Sequence, residues 1–208
     1  MSNRKEIHDR VLNASSPEEL MAAYCEWAEN YDGDLLGEMG YVAPMITSKL
    51  LQNYLNRKDA RILDAGCGTG IVGELLHQDG YGNIEGLDYS PHMLGKAEEK
   101  NIYKTLNQGD LTGPLGIEDA AYDAIISVGT FTCGHVGPEA FGELIRITRT
   151  GGHHCFTVRE QAWEDDDYRA KLREHENNGR WELQELRTAD YIQQEGARCK
   201  VCLYKITA

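Results

Sequence analysis

The residues of this chain best suited to chemistry are the run Asp64-Ala-Gly-Cys-Gly-Thr-Gly70 and two later acids, Asp88 and Asp110. Glycine lets the backbone turn sharply and lets a ligand approach without a Cβ in the way. A helix starting after the run adds oriented N–H donors. A dinucleotide loop would read GxGxxG, but here the glycines run GxGxG and Ile71 stands in the third glycine's place. Asp64, two residues before Gly66, would repel a pyrophosphate and attract an α-ammonium group. Asp88, eighteen residues beyond Gly70, can accept hydrogen bonds from both hydroxyls of an adenosine ribose. The two acids together suit a nucleoside that carries an amino acid, and they disfavour a nicotinamide-dependent oxidoreductase.

A second reactive stretch is Thr130-Phe-Thr-Cys-Gly-His135, at the end of a strand where ligands of open α/β sheets bind. His135 has an ordinary pKa near ~6.5 and is the first candidate for a general base. Asp32 is the second. Other clusters carry less. The six cysteines are unevenly spaced, and Cys199-x-x-Cys202 has no second pair at zinc spacing. His153 and His154 are adjacent in an expected strand, so they point to opposite faces and chelate poorly. No metal site is expected.

Strands and helices alternate to position these groups. Residues 16–31 read as a helix with Ser16 as N-cap and Pro17 first, carrying Leu20, Tyr24, Trp27 and Tyr31 on one face. A glycine-broken loop and a helix over 41–56 follow. Strands are expected over 61–64, 83–88, just before Asp110, over 122–128 and over 153–159, with helices over 71–78, 91–100 and 138–149 between them. Such β-α repeats imply a mostly parallel sheet covered on both faces. A charged helix over 162–177 precedes two strands, 181–188 and 197–206. These can close the sheet with an antiparallel addition.

The ordered set resembles the class I S-adenosylmethionine-dependent methyltransferases, with Asp64–Gly70 as their first motif and Asp88 as their ribose-binding acid. That resemblance implies a Rossmann-like fold with a mostly parallel seven-stranded sheet and an antiparallel terminal strand. It implies S-adenosyl-L-methionine as cofactor and S-adenosyl-L-homocysteine as product. It assigns Gly66, Cys67, Gly68, Gly70 and Tyr89 to the cofactor, Asp110 to the adenine amino group, and Leu111 and Met93 to the ring. Val128, Gly129 and Thr130 would lie under the sulfonium and methyl group, with Trp27, Thr130 and Phe131 towards the acceptor. The flanks Tyr24–Asp32, Tyr41–Pro44 and Trp181-Glu182 resemble the Williams–Beuren-region methyltransferase-like proteins. In those, Tyr31 and Tyr41 would belong to an N-terminal lid.

The chain has 208 residues, the size of one domain. It divides into a helical cap over 1–57, a core over 58–160 and a C-terminal helix and strand pair over 161–208. Its formal net charge is −13, which disfavours a phosphate backbone as partner. No apolar stretch is long enough to span a membrane, so a cytoplasmic protein is expected. The leading expectation is methyl transfer to a small-molecule N, O or S nucleophile. A protein acceptor or a non-catalytic cofactor-binding subunit are the alternatives. The pattern Asn/Asp-Pro-Pro-Tyr/Phe is replaced here by Val128-Gly-Thr-Phe131, which weakens a nucleic-acid base reading. Oligomeric state is not legible.

Overall fold

A computed structural model describes residues 2–132, 136–165 and 167–208. Strands β1 (Ile62–Ala65), β2 (Ile84–Asp88), β3 (Thr105–Gln108), β4 (Tyr122–Phe131) and β5 (Thr148–Arg159) run parallel. Strand β7 (Ala197–Ile206) is antiparallel to both its neighbours, β5 and β6 (Trp181–Ile192). The spatial order is β3-β2-β1-β4-β5-β7-β6. This is the expected Rossmann-like α/β sheet, and the chain-terminal strand is its antiparallel member, inserted inside the edge. Strand order reverses between β1 and β4, so a crevice opens at their carboxyl ends.

Side chains alternate across the strands and so build two cores. Ile62, Ala124, Ile126, Cys155, Val201 and Leu203 face α1 (Ser2–Leu12), α2 (Pro17–Trp27), α3 (Ala43–Gln52) and α4 (Ile71–Gln78). On the other face Leu63, Ile125, Phe156 and Tyr204 meet α6 (Phe141–Ile147), α7 (Glu160–Asp165) and α8 (Tyr168–Asn177). α5 (Pro91–Glu99) lies beside β2 and β3. Cys199 belongs to the first core and Cys202 to the second, so the CxxC thiols lie on opposite faces. Buried His154 packs against Phe141, Phe156 and Trp181, whereas His153 lies against Tyr54.

Local signals explain where the elements start. Ser16 accepts the Glu19 N–H and Pro17 takes the first turn of α2; Ser90 accepts the Met93 N–H and Pro91 does the same for α5. The glycine-broken loop is instead a π-helical turn, Gly33–Met39, ended by Gly40 in the left-handed region. The single helix expected over 162–177 is two, α7 and α8. Among the described residues, no helix is long and apolar enough to cross a membrane.

Candidate functional site

β1 runs straight into the glycine loop, whose Gly66, Gly68 and Gly70 have φ of +78°, +55° and +89°. The loop is latched to the end of β2. The N–H groups of Gly66 and Cys67 donate to the Leu87 carbonyl at 2.7 and 3.0 Å, and the Gly68 N–H donates to Asp88 Oδ2 at 2.8 Å. The Ser90 N–H donates to Asp88 Oδ1 at 2.8 Å, so both carboxylate oxygens are aimed by backbone. Burial raises the Asp88 pKa, against the pull of those hydrogen bonds. A Cβ on Gly66 would lie 2.2 Å from Thr130 Oγ1, so glycine is required there by shape as well as by φ.

A cavity of about 230 Å³ opens above this loop. Its floor is Gly66, Gly68, Val128, Gly129 and Thr130, one wall is Asp88, Tyr89 and Met93, and the far end is Asp110, Leu111 and Thr112. Leu20, Met21, Tyr24 and Tyr31 roof it. Gly68 has open space in front of its Cα, leaving bare backbone towards the cavity. The buried Met93 and Leu111 make an apolar slot with Asp110 beside it. Asp110 also begins a turn, its Oδ1 accepting the Thr112 N–H and hydroxyl. A glycine cradle, a doubly anchored carboxylate and an apolar slot ending in an acid fit an adenosine-type cofactor.

Several expected site residues lie elsewhere, each for a physical reason. Asp64 is buried beneath the loop and does not line the cavity. The Tyr103 hydroxyl donates to its Oδ2 at 2.7 Å, while Oδ1 meets no hydrogen-bond partner among the described residues. Burial pushes the Asp64 pKa up to about 7, with the Tyr103 hydrogen bond pulling against it. Cys67 is buried behind the loop, and Gly70 turns against the Tyr103 ring. Asp32, a catalytic candidate in the sequence, does not line the cavity. It accepts the Thr69 hydroxyl and pairs with Lys100 Nζ at 2.7 Å, which also holds Glu74 at 2.9 Å. Trp27 does not line this cavity: it is buried, donates to Asp34 Oδ2 at 2.8 Å and packs on Tyr31. Phe131 points away into the second core, among Phe141, Phe156 and Tyr168. Tyr41 lies behind Gly129 against Tyr191, rather than over the cavity. His135 lies outside the described residues.

Sequence reasoning passed over Tyr103, Lys100, Tyr191 and Arg159. Tyr103 fills the space left by Gly73, where a Cβ would lie 2.2 Å from its hydroxyl. That small-large pairing was the available signal, though nothing in the spacing joined the two positions. Burial raises the pKa of Tyr31 and Tyr41 well above the ordinary phenol value, so both are neutral hydroxyls at physiological pH.

Comparison with known proteins gives the same reading. A family model described as a methyltransferase domain matches residues 62–152. Methyltransferase-like protein 27 of Homo sapiens is 33% identical over 186 residues, spanning 85% of this chain and 75% of its own. The 18S rRNA (guanine-N(7))-methyltransferase RID2 of Arabidopsis thaliana is 42% identical over 67 residues, 32% of this chain and 23% of that protein. Among solved structures, a TehB-like SAM-dependent methyltransferase from Corynebacterium glutamicum superposes with a TM-score of 0.65 at 21% identity, over 89% of this chain and 99% of that one.

Proposed function

The chain belongs to the class I S-adenosylmethionine-dependent methyltransferases, and from that premise we propose that its acceptor is a small molecule methylated at N, O or S. The observation that carries this reading is the roof. Leu20, Met21, Tyr24 and Tyr31 from the N-terminal segment line the cavity, and Asp32, paired with Lys100, accepts the Thr69 hydroxyl and so ties that segment to the glycine loop. A cavity partly walled by that segment admits a compact acceptor more readily than a folded protein or an RNA helix. The formal charge of −13 also works against a phosphate backbone.

S-adenosylmethionine, when bound, supplies a methyl group already activated by a positive sulfur. The protein's part is to bind, align and exclude water. In this reading Asp88 holds the ribose hydroxyls with the lone pairs left free by Gly68 and Ser90. Met93 and Leu111 clasp the adenine, and Asp110 takes its amino group. Gly66 and Gly68 present backbone to the amino-acid end. Tyr31 covers the site, and Val128, Gly129 and Thr130 form the floor at the reacting end. Asp64 acts through the loop above it. A neutral amine, a carboxylate or a thiolate needs only alignment there, whereas a hydroxyl acceptor also needs a base to take its proton.

The test is calorimetry with S-adenosylmethionine and S-adenosylhomocysteine, before and after Asp88→Ala, followed by a metabolite extract screened with isotopically labelled donor. The parent chain should bind both, the variant should bind at least tenfold more weakly, and the label should appear in a small molecule. Unchanged affinity in the variant would sink the site assignment. Label confined to protein or RNA would sink the acceptor class.

A further inference from the structure

Beyond the cofactor cavity lies a second, smaller one of about 30 Å³. Tyr24, Tyr31 and Gly129 line both, so the two compartments meet above the carboxyl end of β4. The smaller is lined by Tyr41, Tyr191 and Arg159, the last residue of β5. This compartment therefore adjoins the stretch Val128–Thr130, where the proposed reading puts the reacting end.

Arg159 is the unusual feature of that compartment. Its side chain is only 17% exposed, yet among the described residues its one ion pair is a loose contact with Glu195 at 3.9 Å. Glu195 is already engaged, because His8 Nδ1 lies 2.8 Å from its other oxygen. The Tyr191 ring lies 6.0 Å from the guanidinium carbon, a weak cation–π distance. A largely enclosed guanidinium carries five N–H donors in a planar fork that matches a carboxylate bidentately. Keeping such a group in the protein without a close partner is costly, and a bound anion would repay that cost. The neutral Tyr41 and Tyr191 hydroxyls both converge on Gly129, whose absent Cβ would lie 2.7 Å from one and 3.2 Å from the other. The Tyr41 hydroxyl donates to that of Tyr191, which leaves the Tyr191 O–H as a further donor lining the same compartment. A cavity needs about 10–15 Å³ to hold one water, so about 30 Å³ suits a two-oxygen head group and not a whole metabolite.

Resting on the small-molecule reading above, we infer that the acceptor carries a carboxylate that docks on Arg159, which places its nucleophile at the boundary between the two cavities. Arg159 is then a specificity-determining residue, distinct from the cofactor site. The overall negative charge weighs less on a single carboxylate than on a many-charged phosphate backbone, because exposed charges are screened within about 8 Å at physiological salt.

The experiment uses the full chain saturated with S-adenosylhomocysteine. It is titrated with monocarboxylates from acetate to 4-hydroxyphenylacetate, each against its uncharged carboxamide and against a phosphate monoester of similar body. The best acid should bind at least tenfold more tightly than its carboxamide. That preference should vanish in Arg159→Gln and weaken in Arg159→Lys, while S-adenosylhomocysteine affinity stays within twofold in both variants and so reports intact folding. Acids binding no better than carboxamides, binding by no acid, a preference for the phosphate monoester, or a preference that survives Arg159→Gln would each overturn the inference. The acid-to-carboxamide ratio tests Arg159 alone. Label passing to protein or RNA in the donor screen would refute the small-molecule reading whatever that ratio is.

Discussion

Asp64→Asn measures what it costs to keep a carboxylate under the glycine loop. In the folded chain Asp64 titrates at about 7, raised chiefly by burial; an aspartate in the unfolded chain titrates near ~3.9. The folded state therefore holds the proton more tightly than the unfolded one. Stability is lost as pH climbs from about 4 to about 7, and the full cost persists above that. Roughly three pKa units at ~1.36 kcal/mol each put the full cost of the ionised group at about 4 kcal/mol. The part that develops between pH 5 and pH 8 is about 2–3 kcal/mol. Asparagine carries no charge and still offers an oxygen to the Tyr103 hydroxyl, so the variant should lack this slope. In a chain of this length about 1 kcal/mol moves the melting temperature by ~2–4 °C. The variant's advantage over the parent should therefore widen by roughly 5–10 °C between pH 5 and pH 8 in ligand-free melts. A constant gap across that range would refute the claim that Asp64 is forced to ionise in a buried place. The same variant should bind S-adenosylmethionine at least tenfold more weakly at pH 8, because the anion is kept for a cationic ligand. Equal affinities would leave Asp64 with a structural part only.

The rest of the loop and its roof give further expectations. Gly66→Ala drives a methyl to 2.2 Å from Thr130 Oγ1 at a φ of +78°, so urea midpoints should show a loss of about 1–3 kcal/mol. Adding Thr130→Gly should recover the steric part and leave the backbone part; no recovery would mean the clash is not the cause. Tyr103→Phe removes the hydrogen bond that opposes burial at Asp64, so the upper end of the pH range over which stability falls should move upward while its lower end stays at the unfolded aspartate value, read from melts across pH. Lys100→Met breaks the pairs with Asp32 and Glu74. Amide exchange in α2 and in Gly33–Met39 should quicken and S-adenosylhomocysteine should dissociate faster, with the β-sheet amides unchanged. Uniform quickening would show global destabilisation in place of a loosened roof.

The fold class was legible because its signals are local. Alternating β-α units, Pro and Ser at helix starts, and three glycines after a buried strand each act within a few residues, so a linear reading reaches them. The cofactor's acid partners were legible for a related reason. Asp88 ends β2 and Asp110 follows β3, and parallel strands in one sheet bring their carboxyl ends to one edge. What a side chain does at that edge was less legible. Asp64 and Phe131 follow or end strands as expected, yet one turns under the loop and the other into the second core, because strand alternation and packing decide the face. Asp32 has the chemistry of a base but meets Lys100, which is 68 positions away. Trp27 and Tyr41 lie in the aromatic N-terminal segment, but packing against Asp34 and Tyr191 takes them off the cofactor cavity and onto the adjoining one.

By itself, then, the sequence determined the glycine loop, the acids that follow the first strands, and through them the cofactor and reaction class, since each depends on short-range backbone geometry. Only the tertiary structure decided which side chains face the cavity and what partners they keep. Tyr103 beneath the loop, Lys100 bracing the roof and Arg159 left loosely paired in the adjoining compartment are all contacts between distant segments. No residue spacing encodes such contacts, because they arise only when the whole sheet and its two cores have closed.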